Sequence, residues 1–532
     1  VLRDWQERAL AAMGGWSEGS FLISAAPGAG KTRPALEFAR SELQRGAIDG
    51  LVIACPTAPL TRQWARAAHS LGLDLAPDAD SPRAPAGFHG VVVTYARIAS
   101  SPLIWAAGTR SRTLVIADEA HHLGEELAWG ESFSQAFLPA SRWLLLSGTP
   151  FRSDASAIPG VTYDADGLAE SDISYTYAEA VRDGVCRPVV FVTYDGTLSW
   201  RSGDDVIESS FDTVLSSREA SRRYRTAIST DLPDGLPRIL GEADVRLRRL
   251  RDTGHPDAGG LVVAADSEHA RRIAAVLRQV TGRPPLVILH QDTKAAAKLA
   301  EFTRSSEPWI VAVNMVSEGV DIPRLRVGVY ATAAKTPLIF RQIVGRFVRT
   351  IGGRPPEPSW LYVPADAVLR DHAANVESEL RYLLRQRDGE DEGVQFEEVE
   401  RRVSERGEVL DFEPLSADVA PQMTLFGPAA AAVPAAGTGN SGARAASAYV
   451  PPAGVTLTAA SREVPLYERR AKLRAQRHRL VSDLARRDRT GQREINSWVN
   501  RELGIASVAK ASIEELERSI EWLERRMAPR RR

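Results

Sequence analysis

Five short apolar runs punctuate the first part of the chain: Phe21–Ser24, Leu51–Cys55, Val91–Val93, Leu114–Ala117 and Trp143–Leu146. Five more follow later, at Leu261–Ala264, Leu286–Leu289, Ile310–Val313, Val327–Tyr330 and Leu361–Val363. Helical patterns separate them. Short continuous apolar runs predict strands buried on both faces, and their alternation with helices predicts mostly parallel sheets. The pattern therefore predicts an α/β chain with two units of similar build. They share a layout and no obvious sequence repeat. Between them, about residues 152–256, the chain is mixed and charged. There Tyr175–Val181 reads as a short helix leading out of the first unit, and the arginine-rich stretch 215–252 as a helical insertion.

The pattern changes after about residue 375. Residues 386–413 are dense in acidic side chains, as in Gly389-Glu390-Asp391-Glu392, and read as a solvated helix or linker. Residues 428–460 are rich in Ala, Gly, Pro, Ser and Thr, bury little apolar surface and read as a mobile tether. A last segment, 463–532, is helical in pattern and carries an excess of about seven positive charges, enough to attract a polyanion. Ser512 with Glu515 fits a capping box, while Ile513, Leu516, Ile520 and Leu523 share one helix face, so a small bundle of two or three helices is expected. The resulting division is 1–170 (first α/β domain), 171–256 (connecting segment and helical insertion), 257–375 (second α/β domain), 376–427 (acidic extension), 428–462 (linker) and 463–532 (basic helical module).

Composition narrows the class. The 532 residues exceed a single core, and 25% charged with 44% hydrophobic residues is ordinary for a globular protein. Two distant cysteines exclude a cysteine-rich zinc site and a disulfide framework; Cys55, inside an apolar run, reads as a small core residue. No apolar stretch is long enough to span a membrane and no basic start leads into an apolar core, so a cytoplasmic location is expected.

The chemistry enters at the ends of two predicted strands. Ala25-Ala26-Pro27-Gly28-Ala29-Gly30-Lys31-Thr32 stands between a strand and a helix, and such a loop turns several backbone N–H groups toward one anion. Gly28 and Gly30 permit the curvature around Ala29, Lys31 would reach the β- and γ-phosphates, and the Thr32 hydroxyl would ligate magnesium. Asp118-Glu119-Ala120-His121 closes the run Leu114–Ala117. Two acids at the end of a buried strand are costly unless they face a cation, so Asp118 is expected to hold magnesium and Glu119 to take a proton from attacking water. The two segments in this order specify a nucleoside triphosphatase using Mg²⁺. His121 is a candidate for relaying nucleotide state to neighbouring segments.

The order of these and other segments resembles superfamily 2 helicases and translocases of the DEAD/DEAH-box type, over roughly residues 1–365. Leu2-Arg3-Asp4-Trp5-Gln6 resembles the family's adenine-reading motif, which makes Gln6 the base reader. Pro56-Thr57 and Thr94-Tyr95 resemble motifs that touch the nucleic-acid backbone; Ser147-Gly148-Thr149-Pro150 resembles the one that links hydrolysis to strand movement, with Ser147 and Thr149 its coupling residues. Asn314–Pro323 resembles the fifth motif, implying Ser317 on nucleic acid and Gly319 and Asp321 at the nucleotide. Gln342–Arg349 resembles the sixth, implying Gln342, Arg346 and Arg349 at the γ-phosphate. The pattern departs at Ala25, where glycine is usual, and at Asn314, where threonine is frequent. The motif forms look closer to the restriction-subunit and repair-translocase branch than to RNA-dedicated proteins.

The resemblance implies two tandem RecA-like P-loop domains plus a small α-helical C-terminal segment. Arg346 and Arg349, at helical spacing, are expected on one helix face. Pro56, Thr57, Thr94 and Ser317 are expected to grip phosphates without reading sequence. The expected activity is ATP-dependent DNA helicase or translocase action. The alternatives are an RNA helicase and an ATP-driven remodelling or defence-complex subunit that separates no strands. The basic module 463–532 is a candidate for DNA or protein-partner binding.

Overall fold

The computed structural model describes residues 2–77, 79–125, 127–148, 157–164, 169–289, 292, 295–313, 322–351, 358–388, 412–423, 464–508 and 511–527. They build two sheets. The first comprises β1 (Gly19–Ala25), β2 (Gly50–Cys55), β3 (Leu75–Pro77), β4 (Gly90–Thr94), β5 (Thr113–Asp118), β6 (Arg142–Ser147) and β7 (Ile173–Tyr175), in the order β3-β4-β2-β5-β6-β1-β7. Pairing is parallel from β3 through to β1. The second comprises β8 (Val189–Ser202), β9 (Asp205–Ser209), β10 (Gly259–Ala264), β11 (Leu286–Ile288), β12 (Trp309–Val313), β13 (Leu325–Ala331), β14 (Ser359–Pro364) and β15 (Phe412–Met423). Its order is β11-β12-β10-β13-β14-β8-β15, with β9 also on β8. All of its pairs are parallel except β8–β9 and β8–β15.

All ten apolar runs fall on strands of these sheets. β2 and β5 are buried almost end to end, as expected of strands covered on both faces by helices. The chain is α/β, with two mostly parallel sheets and C-terminal helices. Two compact units result: the first gathers the described parts of Val1–Ser24, Gly30–Ser174 and Ala445–Arg532, the second those of Ala25–Ala29 and Tyr175–Arg444.

The structure differs from the sequence reading in the second unit. The span read as a connecting insertion contains β8, and the helix Leu236–Asp252 buries Leu236, Ile239, Leu240, Ala243 and Leu247. Trp309 of β12 donates to the buried Asp244 of that helix at 2.8 Å, so the helix is a layer of the second unit. The short helix expected near Tyr175 runs from Tyr177 to Arg182, capped by Thr176 and Glu179.

The acidic extension also differs. Its beginning continues the helix Ala367–Asp388, and Phe412–Met423 forms β15; residues 389–411 lie outside the described residues, as does the linker over 428–460. β15 carries no clear strand signal: among its residues of described burial, Ala417 and Val419 are the buried ones, beside exposed Glu413, Ser416, Asp418 and Ala420. β8 escaped because Asp195-Gly196 in its middle is a turn signal. Here Gly196 serves close packing: a Cβ there would stand 1.8 Å from the backbone oxygen of Asp418 in β15. Gly196→Ala is therefore expected to destabilise the second unit by about 1–3 kcal/mol, through overpacking against backbone that cannot rotate away. A denaturant midpoint measured on the pure variant checks it.

The C-terminal module is a bundle of three helices, Leu466–Asp488, Gln492–Leu503 and Ile513–Met527. The capping box forms, with Ser512 N–H on Glu515 Oε2 at 2.7 Å and Glu515 N–H on Ser512 Oγ at 3.1 Å. Leu516, Ile520 and Leu523 are buried. The bundle rests on the first unit: Arg66 Nε donates to Tyr467 OH at 3.2 Å, and the Arg470 guanidinium lies 5.4 Å from the Phe88 ring centre.

Candidate functional site

The site gathers at the C-terminal ends of β1 and β5. After β1 the chain turns through Gly28 (φ +85°) and Gly30 (φ +88°), conformations that favour glycine, and enters the helix Thr32–Gln44. Ala29 between them is buried. Gln6, on the helix Asp4–Gly14, is buried beside this loop. Its Nε2 donates to Gly30 O at 3.0 Å and its Oε1 accepts from Arg3 N–H at 3.0 Å. Among the described residues, these bonds leave one amide hydrogen and one carbonyl lone pair of Gln6 available to a ligand.

Lys31 Nζ lies 3.7 Å from Glu119 Oε1, with Lys31 about 10% exposed and Glu119 about 35%. Glu119 adopts φ +51°, a left-handed conformation uncommon for a residue with a Cβ. The bend is held from both sides: Glu119 N–H meets Asp118 Oδ1 at 3.1 Å, and Ala120 N–H meets Leu146 O of β6 at 2.9 Å. Backbone strain of this kind costs about 1–3 kcal/mol and persists where surrounding structure fixes it. It turns the Glu119 carboxylate out of the strand line toward Lys31.

Asp118, the last residue of β5, is buried. Burial and the neighbouring Glu119 charge raise its pKa from 3.8 to about 6, while Lys31 and a hydrogen bond from Trp64 pull it back. Trp64 Nε1 donates to Asp118 Oδ2 at 2.7 Å, and Tyr95 OH donates to the Asp118 backbone oxygen at 2.7 Å. A buried carboxylate so disfavoured as an anion is matched by a divalent cation. The donors fit magnesium: the Asp118 carboxylate and Thr32 hydroxyl are hard oxygens, and magnesium completes its shell with phosphate oxygens and water. Among the described residues no cluster of three or more His, Cys, Asp or Glu stands ready to hold a metal by itself.

His121 is buried, its Nδ1 lying 3.0 Å from Ser147 Oγ at the end of β6 and 3.5 Å from Glu119 Oε2. Burial lowers its pKa from 6.5 to about 3, so the imidazole is neutral throughout the physiological range. Ser147 is thus joined to the acid pair through one ring, while Thr149 lies outside the described residues.

Thr57 caps the helix Ala58–His69 by its backbone alone, and its buried Oγ1 has no hydrogen-bond partner among the described residues. Thr94 Oγ1 accepts from Arg97 N–H at 3.2 Å, capping the helix Tyr95–Ala99. Pro56 precedes the first of these caps at the end of β2. Cys55 is buried, as a small core residue should be.

In the second unit, Gln342 and Arg346 lie one turn apart on the helix Pro337–Phe347, which is anchored by Leu338, Phe340, Ile343, Val344 and Phe347. The expectation that Arg346 and Arg349 share a helix face is overturned. The helix ends at Phe347, and Arg349 instead bridges to Cys186 in extended backbone. The Arg187 N–H on Val348 O, at 2.7 Å, draws this stretch out of helical register. Ser317, Gly319 and Asp321 lie outside the described residues. Trp64 was not anticipated from sequence; the signal available was a lone indole in an alanine-rich helix immediately after Pro56-Thr57.

A family profile described as "Type III restriction enzyme, res subunit" matches residues 1–152. The chain is 42% identical over 439 residues to "Uncharacterized protein Rv2917" of Mycobacterium tuberculosis (strain ATCC 25618 / H37Rv), covering 80% of this chain and 72% of that protein. It is 43% identical over 393 residues to "Uncharacterized protein ML1624" of Mycobacterium leprae (strain TN), covering 72% and 65% respectively. Among solved structures, "ATP-dependent Type ISP restriction-modification enzyme LlaBIII bound to DNA" is similar at a TM-score of 0.47 and 16% identity, over 72% of this chain and 30% of that one. The chain belongs to the same family as these mycobacterial proteins. No described helix is long and apolar enough to cross a membrane.

Proposed function

We propose that this protein is a DNA-stimulated ATPase that translocates along, or separates, DNA strands. The observation that carries the reading is the convergence of Lys31, Glu119 and Asp118 at the ends of β1 and β5. Lys31 holds the β- and γ-phosphates. In doing so it releases Glu119, its present ion-pair partner, to accept a proton from water. Asp118 and Thr32 hold magnesium, which when bound neutralises charge on the phosphates. Gln6 reads the adenine edge. Arg346 and Arg349 supply positive charge to the same γ-phosphoryl, Gln342 orients the water, and Gly319 and Asp321 contribute at the nucleotide. His121, Ser147 and Thr149 relay the state of the nucleotide. Pro56, Thr57, Thr94 and Ser317 grip the backbone of the nucleic acid.

DNA is favoured over RNA because the profile matching residues 1–152 is that of a restriction-enzyme subunit. ATP turnover measured with single-stranded DNA, double-stranded DNA and RNA tests this. Stimulation by DNA is expected; stimulation by RNA alone overturns the DNA assignment, and stimulation by none overturns the motor reading. Strand-displacement and translocation assays side by side separate a helicase from a translocase.

The basic bundle adds affinity for the polyanion. Lys472 and Arg479, two turns apart on the helix Leu466–Asp488, are exposed and have no ion-pair partner among the described residues. The double substitution Lys472→Ala, Arg479→Ala is expected to weaken DNA binding and flatten the plot of log affinity against log salt by about 1–2 in slope. A fluorescence-anisotropy titration across salt concentrations measures it; an unchanged slope leaves these side chains off the DNA path.

A further inference from the structure

Trp64 touches the metal-binding carboxylate from an element that has no part in nucleotide binding. It sits on the helix Ala58–His69, 2% exposed, with its indole N–H 2.7 Å from Asp118 Oδ2. The opposite carboxylate oxygen, Oδ1, accepts from Glu119 N–H, and Tyr95 OH holds the Asp118 backbone oxygen at 2.7 Å. Each carboxylate oxygen thus accepts one hydrogen bond from the chain and keeps lone-pair capacity for a further ligand. An indole N–H can donate and cannot accept, so it fixes Oδ2 as an acceptor whatever else binds there. The helix carrying Trp64 starts at Thr57, whose Oγ1 is buried with no hydrogen-bond partner among the described residues. A single rigid helix therefore joins a waiting hydroxyl at one end to the magnesium carboxylate near its middle.

We propose that Trp64 is a positioning residue that orients Asp118 for magnesium, and that this helix ties the Thr57 end to the metal carboxylate. The proposal rests on the reading of Asp118 as the magnesium-holding acid. Outer partners of metal-binding groups fix the orientation of those groups, and their loss typically weakens metal affinity by about 10- to 100-fold. Trp64→Phe removes the N–H while keeping an aromatic ring in the core.

The test is equilibrium binding of a fluorescent ATP analogue to the full chain, titrated with Mg²⁺, in wild type, Trp64→Phe and Asp118→Asn. Trp64→Phe is expected to raise the half-saturating Mg²⁺ concentration by about tenfold. Binding at saturating Mg²⁺ should return close to wild type. A change of under twofold, in protein with an unshifted melting temperature, overturns the proposal. Should Trp64→Phe unfold, the benzothienyl analogue of tryptophan at position 64 replaces the N–H with sulfur at nearly unchanged shape, and the same criterion applies. Asp118→Asn distinguishes the two layers. If it shifts the Mg²⁺ midpoint while the Trp64 variants do not, only the positioning role fails. If Asp118→Asn is also flat, the metal assignment itself is wrong and the proposal falls with it.

Discussion

Glu119→Gln is expected to lower DNA-stimulated ATP turnover by about 10²–10⁴-fold, the range associated with losing a positioned general base. Nucleotide binding should survive. Glutamine keeps the length and the left-handed backbone of Glu119 (φ +51°), and it removes the negative charge opposite Lys31 without removing Lys31. Lys31→Ala provides the contrast. It deletes the cation facing the phosphates, so nucleotide affinity and turnover should fall together. Steady-state ATPase measurements beside an ATP-analogue binding titration separate the two patterns. Near-normal turnover in pure, folded Glu119→Gln would remove Glu119 from the reaction.

Arg346→Ala is the second large effect. A guanidinium brought to the transferred phosphoryl group contributes about 10³–10⁵ to turnover in related phosphoryl-transfer chemistry. A loss of at least about 10²-fold in kcat is expected, with little change in nucleotide affinity, because the charge it meets develops in the transition state. Arg346 is the penultimate residue of a helix whose neighbouring positions Ile343, Val344 and Phe347 are buried. Truncating a half-buried side chain there should leave the fold intact, which a melting curve verifies. If affinity collapses while turnover per bound nucleotide is unchanged, Arg346 belongs to ground-state binding. Arg349 deserves separate substitution: it bridges Cys186 in extended backbone, so the two arginines are held by different elements and need not act as a pair.

Legibility in the sequence followed burial. Strands such as β2 and β5 are apolar at every central position because both faces are covered, so their residues announce them. The placement of the glycine-bearing loop after β1 and of Asp118-Glu119 at the end of β5 was legible, because each follows an apolar run at its polar end. β15 was not, since an edge strand with one buried face sends small or isolated residues such as Ala417 and Val419 inward. β8 was hidden by Asp195-Gly196, a dipeptide whose local preference for turning is overridden by the close approach of Asp418. The shared face assigned to Arg346 and Arg349 failed for a related reason: spacing of three fits a helix only while the helix lasts, and Arg187 captures the chain at Val348. Trp64 was invisible because its partner lies 54 positions away, and no local pattern encodes that distance.

The pairing of β8 with β15 also bears on biosynthesis. The strand that covers β8 is encoded some two hundred positions after it, in the register Phe412 with Ser202 through Met423 with Val192. During translation the nascent second unit must wait, with that flank of β8 bare, until the ribosome has delivered residues beyond 423. An unprotected strand flank is a template for joining other chains. A gene fragment ending near residue 375, short of β15, would therefore yield protein prone to clumping, whereas one extended past Met423 would carry its own cover.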